Sequence, residues 1–141
     1  MIAYVDSSVV LRLILGQAGR LPEWRTVDQG IASALVEVEC LRMLDRMRLA
    51  EPLAEDEIAV RREAVYRVVE TLEVVEVTRA VLGRAAQPLP VTLGTLDAVH
   101  LATAQGWRDS NGADLVVATH DRRLAAAARA MGFRTVGASA Q

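Results

Sequence analysis

Short apolar runs alternate with amphipathic helical stretches along almost the whole chain, and this alternation limits the fold more than any other feature. Strand-type runs lie at Ile2 to Val5, Ile31 to Leu35, Val74 to Val77, Leu115 to Ala118 and Arg134 to Val136. Helical patterns run from Ser7 to about Leu15, from the end of the second strand to about Leu49, and from Glu55 to about Glu70. Three more run from Arg79 to about Gln87, from Thr95 to about Gln105 and from Arg122 to Met131. Punctuation agrees with these limits: Glu51-Pro52 separates two helices, Glu55, Asp56 and Glu57 sit where the positive end of a helix dipole favours acids, and Pro88 and Pro90 close the fourth helix. Gly106 and Gly132 read as helix stops. The polar stretches Gly16 to Gly30, with Gly16, Gly19, Pro22 and Gly30, and Arg108 to Ala113, with Asn111-Gly112, read as loops, the first with room for one short helix. Strands joined through helices form right-handed βαβ units, and these build a parallel sheet covered on both faces. The expected architecture is a three-layer α/β/α sandwich, doubly wound, with residues 1–141 as one domain. No internal repeat or low-complexity tract interrupts it.

The bulk properties exclude several function classes. With 141 residues, 52% of them hydrophobic, the chain is long enough for one sizeable core. Its single cysteine, Cys40, allows no disulfide framework; the count suits a reducing compartment, and the residue itself suits a small buried helix position. The opening MIAYVDSSVV has no basic region and reaches Asp6 before any long apolar run, so it does not read as a signal peptide. No run reaches the roughly 18 apolar residues of a membrane helix. A cytoplasmic protein without membrane attachment is the expectation. Net charge is −2, so binding to an anionic polymer must rest on a local patch or on bound cations. All 16 basic residues are arginine, whose planar fork suits phosphate and carboxylate.

In open α/β sheets the functional crevice lies beyond the carboxyl ends of the strands, so polar residues that follow strands are the candidates. Asp6 directly follows the first strand. Asp121 follows the fourth in Ala118-Thr119-His120-Asp121. Glu39 lies early in the helix after the second strand, and Asp97 in the first turn of the helix from Thr95. Each also has a purely structural role open to it: helix N-cap for Asp6 and Asp121, dipole partner for Asp97, an i,i+3 pair with Arg42 for Glu39. Their flanks are apolar, however, and partly desolvated carboxylates that converge repel one another and raise their pKa values. A divalent cation removes that conflict, and oxygen-only ligation suits Mg²⁺ or Mn²⁺ better than Zn²⁺. Such an ion supports phosphodiester hydrolysis. His100 and His120 are the only histidines. His100 reads as a helix-packing residue and His120 as a partly exposed loop residue beside Asp121. Trp24 and Trp107 read as packing residues.

These residues resemble the motifs of the PIN-domain ribonucleases, specifically the VapC-type toxins of bacterial toxin–antitoxin pairs. Tyr4-Val5-Asp6-Ser7-Ser8 is similar to the family's first strand and acid. Ser33-Ala34-Leu35-Val36-Glu37-Val38-Glu39, followed by Arg42, is similar to the second motif and favours Glu39 over Glu37. Thr95-Leu96-Asp97-Ala98-Val99-His100-Leu101-Ala102-Thr103-Ala104 is the strongest match, and Thr119-His120-Asp121-Arg122-Arg123-Leu124 resembles the last motif. Gly94 departs from the pattern, because many members carry a basic residue there. The resemblance implies a PIN-like, Rossmann-like parallel sheet, Mg²⁺ or Mn²⁺ dependence, endonucleolytic cleavage of RNA, a homodimer, and inhibition by a cognate antitoxin docked over the acidic pocket. It further implies Asp6, Asp97 and Asp121 as metal ligands and Glu39 as a residue that binds metal through water or orients the attacking water. Thr119 would hydrogen-bond the acids or simply end its strand. Arg42, Arg46, Arg48, Arg122 and Arg123 are candidate contacts for RNA phosphates or the antitoxin.

Two alternatives stand beside this reading. A catalytically silent binding module would keep the fold, though the intact set of acids weighs against it. An aspartate-based phosphotransfer protein is disfavoured, because the residue two after Asp6 is Ser8, not a second aspartate, and the chain has no lysine for a receiver-like pocket.

Overall fold

The computed structural model describes residues 1–16 and 21–138. Five strands, β1 (Ile2–Val5), β2 (Gln29–Ser33), β3 (Glu73–Val75), β4 (Leu115–Ala118) and β5 (Arg134–Val136), form one sheet in the order β3-β2-β1-β4-β5. Every neighbouring pair is parallel. Among the described residues six α-helices flank the sheet: α1 (Ser7–Leu15), α2 (Leu35–Ala50), α3 (Glu55–Glu70), α4 (Arg79–Ala85), α5 (Thr95–Asn111) and α6 (Arg122–Ala130). The α/β/α layering expected from the alternation is therefore present. One turn of 3-10 helix at Pro22–Thr26 lies within the first polar loop, whose residues 17–20, including Gly19, fall outside the described residues.

Side chains alternate across each strand, so the sheet divides the core in two. Ala3, Val5, Ala32 and Ala118 join Val9 and Val10 of α1, Val36, Cys40 and Leu44 of α2 and Val65 of α3 on one face. Tyr4, Ile31, Leu115 and Val117 join Leu101, Ala104 and Trp107 of α5 and Leu124, Ala127 and Ala128 of α6 on the other. Each fully buried Leu, Ile or Val contributes about 1.5–3 kcal/mol relative to exposure. The expectation that Cys40 and Trp107 are packing residues agrees with their burial, and Trp24 packs partly buried against the first cluster.

Three element limits differ from the sequence expectation, each for a tertiary reason. The helix from Thr95 does not stop at Gly106; it runs to Asn111 and ends at Gly112, whose φ of 60° is the left-handed conformation of a glycine C-cap and whose N–H reaches Arg108 O at 2.9 Å. A helix-interior glycine costs about 1 kcal/mol, and burial of Trp107 beyond it outweighs that. β2 begins at Gln29, which pairs with Ile2, and ends at Ser33; the Ser33 hydroxyl accepts the Leu35 N–H at 3.1 Å, so Leu35 opens α2 and is not extended. β3 spans Glu73–Val75, not Val74–Val77, because its ladder with β2 pairs Ile31 with Glu73 and Ser33 with Val75. Thr78 beyond it caps α4 through Oγ1 to the Val81 N–H.

Candidate functional site

Strand order reverses between β1 and β4, and in open parallel sheets a crevice opens at that point beyond the carboxyl ends. The two strands end in Asp6 and in Thr119-His120-Asp121. Asp6 is only 4% exposed. Its backbone N–H continues the ladder to Ala118 O at 3.1 Å. Its side chain does not cap α1. Instead Oδ1 accepts from Ser7 Oγ at 3.2 Å, and Oδ2 accepts from Ser8 Oγ at 2.8 Å and Thr119 Oγ1 at 2.6 Å. Thr119 Oγ1 also accepts the Asp121 N–H at 3.0 Å, and Ser8 Oγ accepts the His120 N–H at 2.9 Å. Two hydroxyls thus tie the end of β1 to the end of β4. Gly137 presses on the same strand end: its φ is 102°, and a Cβ there would lie 2.5 Å from Thr119 O.

Asp121 does cap its helix, Oδ1 accepting the Leu124 N–H at 2.9 Å, so the structural role open to it and its place at the crevice coexist on one side chain. Asp97 lies in the first turn of α5, whose N-cap is Gly94. Burial pushes the Asp97 carboxyl up to about 6, and the charges of Asp121, Asp6 and Glu39 push the same way against His100. The charges of Asp6, Asp121 and Glu39 therefore all reach the Asp97 carboxyl at this edge of the sheet. The four carboxylates do not close on a common point: among the described residues no group of three or more His, Cys, Asp or Glu has the proximity to hold a metal. Their chemistry nevertheless fits a hard dication, being oxygen donors with mutual repulsion for a cation to offset. Burial pushes the Cys40 thiol up to about 12, with Glu39 and Asp6 adding to the shift, so this sulfur is kept from the thiolate form that ligates metal.

Glu39 does not pair with Arg42, which reaches Asp45 at 3.4 Å. It meets His100, with Oε1 and Nε2 2.6 Å apart. His100 is fully buried, as a packing residue should be, yet its other nitrogen, Nδ1, stands 2.6 Å from the Tyr4 hydroxyl. Burial opposes a charge on this ring, but the hydrogen bond and charge of Glu39, followed by Asp6 and Asp97, outweigh it and raise the His100 pKa. Burial also pushes the Tyr4 hydroxyl well above its usual value, and the Asp6 and Glu39 charges add to this. Sequence reasoning missed the link from Tyr4 through His100 to Glu39. The available signal was His100 one helical turn after Asp97, a polar residue amid Val99, Leu101 and Ala102. His120 is partly buried; its Nδ1 lies 3.2 Å from Gly137 O, and burial and Arg12 lower its pKa. A carbonyl only accepts, so Nδ1–H donates to Gly137 O.

Beside Glu39 an apolar groove of about 380 Å³ is lined by Leu11, Leu35, Val38, Met43 and Leu96, with Arg42 and Arg46 at its edge. Arg122 and Arg123 are exposed at the start of α6.

An all-parallel, doubly wound sheet with Asp6 and Asp121 following the two strands at its switch point defines a Rossmann-like domain with acidic residues at that edge. The PIN-domain family model matches residues 3–130, and the chain belongs to that family. Ribonuclease VapC46 of Mycobacterium tuberculosis is 35% identical over 144 residues, covering 96% of this chain and 97% of that protein. Among solved structures, a toxin–antitoxin complex from Klebsiella pneumoniae superposes with a TM-score of 0.68 at 17% identity, covering 95% of each chain. Mycobacterium tuberculosis VapC20, a sarcin–ricin-loop-cleaving toxin, superposes with a TM-score of 0.63 at 18% identity, covering 93% of this chain and 95% of that one. These structural likenesses extend the agreement in fold.

Proposed function

We propose that this protein is a Mg²⁺- or Mn²⁺-dependent endoribonuclease that hydrolyses RNA phosphodiester bonds, and that it is the toxin of a type II toxin–antitoxin pair. The observation that carries the reading is the placement of Asp6 and Asp121 directly beyond the two strands at the switch point of a PIN-domain sheet, with Asp121, Asp6 and Glu39 near enough to raise the Asp97 pKa. The name of the 35% identical relative supports the same activity.

In this reading Asp6, Asp97 and Asp121 hold the ion, directly or through water, and Glu39 binds it through water or orients the attacking water. When bound, the ion polarises a phosphoryl oxygen, lowers the pKa of bound water and offsets charge at the leaving oxygen. Ser8 and Thr119 keep the Asp6 carboxylate oriented by donating to it. Thr119 supports the acids in this way and ends its strand as well. Asp121 is held by its own role as helix cap, a rigid support for a side chain that would hold the ion. The exposed arginines nearby, Arg42, Arg46, Arg122 and Arg123, are candidate contacts for RNA phosphate.

The partners proposed are RNA, a cognate antitoxin that docks over the acidic pocket, and a second copy of the chain in a homodimer. The apolar groove beside Glu39 offers surface suited to an antitoxin segment. Residues 1–141 act as one domain. A cytoplasmic location is part of the same proposal. No helix among the described residues is long and apolar enough to cross a membrane.

The test is cleavage of a generic RNA during Mg²⁺ or Mn²⁺ titration, with wild type beside Asp6→Asn and with chelator as control. Metal-dependent shortening of the RNA by wild type, reduced by orders of magnitude in Asp6→Asn, is expected. RNA that is retained but never shortened at saturating metal would identify a silent binding module and end the nuclease reading.

A further inference from the structure

Glu39 is held from behind. The chain of contacts runs from the Tyr4 hydroxyl to His100 Nδ1 at 2.6 Å and from His100 Nε2 to Glu39 Oε1 at 2.6 Å. An ionised carboxylate only accepts hydrogen bonds, so Nε2 carries the proton. Nδ1 then accepts from the Tyr4 hydroxyl in the neutral ring or donates to it in the imidazolium; in both forms Nε2–H faces Glu39. The elements involved also position two of the other acids, Asp6 and Asp97. β1 presents Tyr4 two residues before Asp6, and α5 presents His100 one turn after Asp97.

Stability alone explains this arrangement poorly. Replacing all the members of a buried polar cluster by packed apolar residues is often neutral or stabilising, so phenylalanine at position 4 with leucine at position 100 would fill the same core. Orientation explains it better. Glu39 sits on α2 with its side chain 19% exposed, and a glutamate there has three rotatable bonds to bring under control. Misplacing a reacting group by about 1 Å costs on the order of 100-fold in rate.

We propose that His100, backed by Tyr4, is a positioning residue for Glu39: its Nε2–H holds Oε1 and leaves the second carboxylate oxygen to orient the attacking water. The inference rests on the ribonuclease reading given above.

The experiment compares His100→Leu, His100→Gln and Tyr4→Phe with wild type. Thermal unfolding, kcat and KM for RNA cleavage, and RNA binding in chelator are measured for each. In His100→Leu, kcat falls about 100-fold, while KM and chelator binding stay within about twofold. His100→Gln, whose amide can donate where Nε2 did, recovers about tenfold of that loss. Tyr4→Phe, which leaves Nδ1 without its partner, gives a smaller fall in kcat. Histidine ring ¹⁵N shifts, recorded without metal or RNA, show Nε2 of His100 protonated in wild type and shifted in Glu39→Ala, with His120 unmoved. A folded His100→Leu protein with wild-type kcat overturns the proposal, as does a loss carried by KM or a glutamine variant no better than leucine. Should His100→Leu fail to fold, the ring shifts and Tyr4→Phe decide: an unprotonated Nε2 or an unchanged kcat overturns it. A wild type that leaves RNA uncut removes the nuclease reading and this role together; cutting that is indifferent to position 100 removes this role alone.

Discussion

Replacing Asp97 by asparagine should stabilise the metal-free protein near neutral pH and not in acid. The Asp97 pKa moves from 3.8 to about 6, through burial first and then the charges of Asp121 and Asp6. A carboxyl with a raised folded pKa binds its proton more tightly in the native state than in the unfolded chain. Stability therefore falls as pH rises between the two values, and the full cost of the ionised group is present above about pH 6. A shift of about two units corresponds to at most about 3 kcal/mol. The side chain keeps partial contact with solvent, and screening reduces this to about 1 kcal/mol. Asparagine removes the charge at nearly constant volume, so a rise in Tm of about 3 °C is expected in chelator near pH 7.5, shrinking strongly near pH 4. Thermal unfolding of both proteins at the two pH values, followed by circular dichroism, measures it. An Asp97→Asn protein that gains nothing near pH 7.5, or gains as much near pH 4, would refute the electrostatic account of this edge. Asp6→Asn is not expected to gain, because the Asp6 carboxylate accepts bonds from Ser7, Ser8 and Thr119.

Three further outcomes separate structural from chemical roles. Asp121→Asn preserves a good N-cap and Asp121→Ala does not, so alanine alone should cost about 1 kcal/mol in denaturant unfolding while both lose RNA cleavage; a fully active Asp121→Asn would remove this residue from the metal set. Thr119→Val removes the donor to Asp6 and the acceptor for the Asp121 N–H, with an expected loss of about 1–3 kcal/mol. Its RNA cleavage should fall about 10- to 100-fold, and unchanged stability and rate would show the hydroxyl to be dispensable. Cys40, its thiol pushed up to about 12 by burial, holds almost no thiolate near pH 8, so alkylation should proceed only as fast as the protein unfolds; rapid labelling of the native protein would contradict its burial.

The local pattern of residues determined the class of fold and the positions of the acids. Short apolar runs bounded by polar residues and alternating with helical stretches mark buried strands, and Ile2–Val5 and Leu115–Ala118 were readable in full for that reason. A strand's carboxyl end is equally local, which is why Asp6 and Asp121 could be named as candidates from their place alone. Tertiary structure decided the rest. Gly106 is a stop signal by propensity, yet the helix passes through it because Trp107 has a core to enter. Arg42 is the local partner for Glu39 at i,i+3, yet the buried imidazole of His100, distant in sequence, displaces it. Hydrogen bonds such as Thr119 to Asp6 depend on which strands become neighbours, and the order β3-β2-β1-β4-β5 is set by packing both faces of the sheet at once. Periodicity is a property of neighbours along the chain; pairing, register and desolvation arise only when remote segments exclude water together.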